Sequence, residues 1–106
     1  MVATAKSELA EIKRFGGKPQ KNSGRGTRKG DAILEPFLVD VKEAEKSFTL
    51  NEKVWGKVCT DAIVSERRQP ALNVVLGVTN KSRLWVISDE MFKEMHQAWK
   101  EKYDEV

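Results

Sequence analysis

Gly30-Asp31-Ala32-Ile33-Leu34-Glu35-Pro36-Phe37-Leu38-Val39-Asp40-Val41-Lys42 is the stretch whose reading decides the fold. Two apolar, β-forming runs flank Glu35-Pro36, a pair that marks a turn. A hairpin tip symmetric about Glu35-Pro36, whether two or four residues long, sets Asp31 opposite Asp40. Side chains alternate along a strand, so Asp40 and Lys42 share one face while Val39 and Val41 take the other. Directly opposed residues have Cβ atoms about 5 Å apart, and like charges there repel. Two carboxylates so placed call for a cation between them. Magnesium takes oxygen ligands, commonly one or two carboxylates with water and phosphate oxygens. Two acids and an ammonium beside such an ion suit phosphodiester hydrolysis.

Upstream of this hairpin the charge is one-sided. Lys13, Arg14, Lys18, Lys21, Arg25, Arg28 and Lys29 fall between residues 13 and 30 with no acid among them. The net charge of the whole chain is only +3, so the remainder is mildly acidic. A concentrated basic segment attracts polyanions and releases counterions on meeting phosphates. Charge runs in general are solvated loops. This one leads directly into Asp31, which points to a phosphate-bearing polymer as substrate.

Residues 4–15 read as a helix with Leu9 and Ile12 on one stripe, ended by Gly16-Gly17. Residues 18–30 read as a Gly-rich basic loop without regular structure. After the hairpin, residues 43–47 form a polar connector. Thr49 with Glu52 makes a capping box, and a second helix is expected from there to about Arg67, with Val54, Trp55, Val58, Ala62 and Ile63 on its apolar face. Gln69-Pro70 breaks it. The apolar run 71–78 reads as a strand buried on both faces, and 83–87 as the next strand. Ser88 caps a third helix striped by Met91, Phe92, Met95 and Trp99, with a charged tail expected to fray from Lys100. Trp55, Trp85 and Trp99 each fit a core stripe, with a dimer surface as the alternative, and Met91 and Met95 are expected to pack. Long helices between and after strands must cover the sheet. The expected fold class is therefore α/β, a small three-layer-like structure with a mixed central β-sheet flanked by helices.

With 106 residues the chain is one domain's worth, residues 1–106. No apolar run approaches the roughly 20 residues of a membrane span, and no amino-terminal signal pattern is present. The single cysteine, Cys59, excludes an internal disulfide and suits a reducing compartment. It sits far from the one histidine, His96, and reads as filler inside a helical pattern.

Gly30-Asp31, a hairpin, then Asp40-Val41-Lys42 resembles the signature of the PD-(D/E)XK nuclease superfamily. Within it the chain resembles the archaeal-type Holliday junction resolvases and their phage relatives. That group opens with a short helix carrying a glutamate, here matching Glu8, with Glu11 one turn further on. A basic Gly/Ser loop follows, here residues 22–29. Then come the acid on its strand and the (D/E)xK strand. A polar link leads into a helix, here Ser47 to Trp55 and Lys57, followed by a Pro-led apolar strand, here residues 70–76. The resemblance covers residues 6–76. It departs from the group at Gly30, where proline is common, and at Asp40, where many relatives have glutamate.

The resemblance implies a restriction-endonuclease-type fold and metal-dependent endonuclease activity on branched double-stranded DNA. It assigns catalytic roles to Glu8, Asp31, Asp40 and Lys42. The metal, Mg2+ with Mn2+ as an alternative, falls to Asp31, Asp40, the Val41 carbonyl and Glu8. DNA backbone contacts fall to Lys21, Ser23, Arg25, Arg28 and Lys29. Junction cleavage needs two symmetric cuts, which implies a homodimer. It implies a cytoplasmic location, the host cytoplasm for a phage protein, and no membrane partner. Three alternatives stand beside it. They are a nicking, flap or restriction-type nuclease of the same superfamily, a non-catalytic basic DNA-binding protein, and an interaction domain with no nucleic-acid role.

Overall fold

The structure is a computed structural model and describes residues 5–20 and 30–103. In chain order the elements are α1 (Ala5–Phe15), β1 (Lys18–Pro19), β2 (Ala32–Leu34), β3 (Phe37–Ala44), α2 (Glu52–Val64), β4 (Gln69–Leu76), β5 (Ser82–Ile87) and α3 (Asp89–Tyr103). The five strands form one sheet in the order β1-β2-β3-β4-β5. Only the β3–β4 pair is parallel, joined by the α2 crossover; the others are antiparallel.

The sheet is covered on both faces, which gives the small α/β arrangement expected. On one face Ile12 of α1 packs on Ala32, Val39, Val41 and Ala71, with Phe15, Leu34, Phe37 and Ile87 alongside. On the other, Val58 of α2 packs on Leu72 and Val74, with Phe48, Val54 and Trp55 closing the edge. The alternation in β3 therefore divides its residues between two cores. Val39 and Val41 face α1, whereas Asp40 and Lys42 lie in register with Leu72 and Val74 on the α2 side.

The hairpin is as short as Glu35-Pro36 allows, with Leu34 paired to Phe37. Its tip is fixed from outside. Arg68 donates two hydrogen bonds to the Glu35 carboxylate, at 3.0 and 2.9 Å, and the Gln69 N–H donates to the Pro36 carbonyl at 2.9 Å. The start of β4 is thereby pinned to the turn before β3.

Several sequence expectations are corrected. Residues 18–19 are not loop: Lys18 and Pro19 pair with Ile33 and Ala32 and open the sheet. Two residues, one a proline, give no periodicity to read. The second helix is capped by Asn51, whose side chain accepts from the Val54 N–H at 2.9 Å, not by a Thr49–Glu52 box. It stops at Val64, because Glu66 and Arg67 take positive φ (59° and 57°). Ile63 is exposed and does not join the apolar face. Glu43 and Ala44 belong to β3 rather than to a connector. The third helix begins after Ser88, whose hydroxyl accepts from the Met91 N–H at 3.1 Å, and it continues to Tyr103 instead of fraying at Lys100.

The largest correction concerns α3. Met91 is its one buried residue; Met95 and Trp99 are more than half exposed. Trp85 lies edge-on to Phe15, with ring centroids 5.0 Å apart, yet stays partly exposed. Of the three tryptophans only Trp55 packs into a core as expected.

Candidate metal and catalytic site

The antiparallel register Ala32 to Val39, continued one step, brings Asp31 opposite Asp40. The β3 backbone grips Asp31 twice. Its N–H donates to the Val39 carbonyl at 3.0 Å, and its Oδ2 accepts from the Val41 N–H at 2.7 Å. The side chain thus takes the place of a strand neighbour where β2 has not yet begun. Gly30 makes this approach feasible. It adopts φ +81°, and a Cβ there would lie 2.8 Å from the Leu38 side chain. A proline, locked near φ −65°, could not occupy that conformation, which accounts for the glycine at this position.

Asp31 and Asp40 face each other across the strand pair. Burial, then the adjoining Asp40 carboxyl, with a smaller push from Glu8, raise the Asp31 pKa to about 7, against the opposing pull of the Val41 N–H. Carboxylates so placed ionise together only when a cation neutralises them. One cation is already at hand: Lys42 Nζ lies 3.1 Å from Asp40 Oδ2.

Glu8 lies in the same electrostatic neighbourhood and lines a groove with Asp31. Burial, then Asp40 and Glu43, raise its pKa, and Lys42 lowers it. Glu11, its neighbour one turn along α1, does not belong. Arg83 donates two hydrogen bonds to its carboxylate, at 2.9 and 3.1 Å, and holds it below the usual range. A groove of about 270 Å³ opens beside the acids, lined by Glu8, Leu9, Ile12, Pro19, Gln20, Gly30 and Asp31.

Sequence reasoning assigned no role to Lys57. From α2 its ammonium reaches Asp61 at 2.8 Å, and that bond, with smaller contributions from Asp40 and Asp31, raises its pKa. Its spacing to Asp61 is that of an ordinary surface helix pair, so nothing local marked it. Val41 enters the site through its N–H. Lys21, Ser23, Arg25, Arg28 and Lys29 lie outside the described residues; on either side of them the Gln20 N–H donates to the Asp31 carbonyl at 3.0 Å.

Among the described residues no three His, Cys, Asp or Glu side chains come together in a group that could hold a metal ion, so Glu8 is not brought to a common ion site with Asp31 and Asp40. The Asp31–Asp40 pair suits a hard cation that keeps water and substrate oxygens in its remaining positions, as magnesium does. No helix among the described residues is long and apolar enough to cross a membrane. Comparison with protein-family models, with characterised proteins and with solved structures gives no match.

Proposed function

We propose that the protein is a metal-dependent, structure-specific DNA endonuclease that resolves four-way junctions by paired cuts, acting as a homodimer. The observation that carries this reading is the opposition of Asp31 and Asp40 across β2 and β3, with the Lys42 ammonium 3.1 Å from Asp40 on the same strand face. The resemblance of residues 6–76 to junction resolvases, and the basic segment leading into Asp31, support it.

Asp31 and Asp40 would hold the ion, with Glu8 reaching it through water and the Val41 carbonyl as a further ligand. Bound there, magnesium or manganese would supply Lewis acidity toward the scissile phosphate and a water of lowered pKa. Lys42 orients the attacking water or neutralises charge developing on the phosphorane. The Val41 N–H fixes one Asp31 oxygen and leaves the other for the ion. Lys21, Ser23, Arg25, Arg28 and Lys29 grip backbone phosphates, contacts that position DNA without reading bases.

The test is cleavage of labelled four-way, flap, nicked and linear DNA at equal concentration in magnesium. Preferential, symmetric cutting of the junction supports the proposal. Cutting of flaps or linear duplex alone assigns another nuclease of this type. Binding without cutting by the wild type defeats the catalytic reading. Neutralising Arg25, Arg28 and Lys29 together should weaken binding and reduce the slope of log K against log salt by about 2.7, roughly 0.9 for each phosphate no longer neutralised.

A further inference from the structure

We infer that α3 is a self-association surface, on which the same helix of a second copy of this chain packs antiparallel. Phe92, His96, Trp99 and Tyr103 fall at i, i+4, i+7 and i+11 and line one side of the helix. Their rings follow one another along it: Phe92 to His96 at 6.1 Å, His96 to Trp99 at 6.5 Å, and Trp99 to Tyr103 at 5.1 Å. The three large apolar members are each 58–60% exposed. The stripe adjoins an apolar groove of about 250 Å³ over the sheet, bordered by Leu34, Phe37, Trp85, Ile87 and Met95.

Four observations select a second copy as the occupant. First, size: half-exposed aromatic residues that each bury about 150–250 Å² in a core give the stripe with Trp85 and Met95 roughly 500 Å² of apolar surface, the greater part of the ~800 Å² per partner in a standard interface. Second, charge: α3 opens with Asp89 and Glu90 and closes with Lys100 and Lys102. An antiparallel pair places one copy's acidic turn beside the other's lysines and opposes the helix dipoles favourably. Third, the chain offers no cover of its own from residues 21–29, which contain no apolar side chain large enough. Fourth, Asp89, Glu90, Glu94 and Glu101 offset Lys93, Lys100 and Lys102, so the helix lacks the positive field a nucleic-acid surface needs. A two-fold helix pair is self-complementary and closes at two copies.

The inference assigns a surface to the homodimer of the proposed function, and it is tested apart from catalysis because self-association is measured without metal or DNA. Sedimentation velocity on the full chain, from low to high micromolar concentration, should show a monomer–dimer equilibrium. Phe92→Ser with Trp99→Ser should raise the dissociation constant by about tenfold or more, one decade per ~1.4 kcal/mol, with the far-UV helix signal retained. Asp89→Lys with Glu90→Lys should also weaken the dimer, and adding Lys100→Glu with Lys102→Glu should restore it. The charge set decides the matter if the aromatic variant fails to fold. A wild type that stays monomeric throughout overturns the inference. So does a dimer indifferent to the aromatic changes, or a charge swap without rescue. A monomeric wild type whose duplex binding is abolished in the aromatic variant would make the stripe a DNA surface instead.

Discussion

Two carboxylates one turn apart on α1 meet opposite fates. Glu11 is 5% exposed and held by a forked pair of hydrogen bonds from Arg83. Glu8 stands in the groove beside Asp31, where acids outnumber their counter-charges. The first arrangement is complete: its charge is matched inside the fold, and it ties α1 to β5. The second is left crowded with like charges, at a cost that only a bound cation or proton removes. The difference separates a carboxylate whose charge is matched within the fold from a group of acids left open to a cation or a proton, without appeal to any relative.

The sharpest way to break this comparison is to neutralise each cluster in turn. Asp40→Asn and Asp31→Asn should each reduce magnesium-dependent cutting to background while DNA binding persists. Glu11→Gln should leave the cutting rate within about threefold of wild type, a barrier change of less than the ~1.36 kcal/mol that separates decades of rate. Equal loss of cutting in all three would erase the distinction.

Gly30→Ala tests how closely the acid pair depends on its approach. A left-handed alanine costs about 1–2 kcal/mol and overlap with Leu38 about 1–3 more, so unfolding in urea should show a loss of roughly 2–5 kcal/mol. An unchanged midpoint would mean that the turn into Asp31 is not constrained as described.

Opposite pH slopes should follow from the two clusters. The folded pKa of Asp31, about 7, lies above its ordinary 3.8. Its protonated form therefore favours the fold, fully below the unfolded value, and that contribution is lost as pH rises through about 7. Glu11 is held below its ordinary 4.5, so its contribution is present above that value and lost as pH falls beneath it. Thermal unfolding without metal should show Asp31→Asn gaining on wild type as pH climbs from about 5 to about 8, since the amide oxygen can still accept from Val41. Magnesium at the upper end of that range should raise the wild-type Tm and leave the variant unmoved. The smallest effect belongs to Glu11→Gln, a Tm lower by about 5 °C at neutral pH, corresponding to roughly 1 kcal/mol for a charged hydrogen bond partly retained.

The hairpin and the opposition of Asp31 to Asp40 were legible in the sequence because alternation and a two-residue tip leave few registers. The two-faced sheet was legible for the same reason, with Val39 and Val41 sorted from Asp40 and Lys42 by period alone. What failed is equally specific. Asn51 and Thr49 are both competent caps, and only the course of the chain chooses between them. Periodicity showed that Met95 and Trp99 share a region of the helix but could not show that the body of the protein does not meet it. The sequence reading matched Glu8, but that Glu11 is taken up by Arg83, 72 residues away, could be seen only in space. Lys57 needed the α2 crossover before its nearness to the acids could be seen.

The hydrogen bond from Gln20 to the Asp31 carbonyl has a geometric consequence. It closes residues 20–31 into a ring, so whatever path the intervening chain takes, its apex is about six residues from Asp31 by either arm. At roughly 3.5 Å per residue the backbone there can reach no further than about 20 Å. One turn of duplex spans about 34–36 Å. On the proposed function, cations tethered so would meet phosphates only within well under one duplex turn of the acid pair, so any strand they held would be held locally.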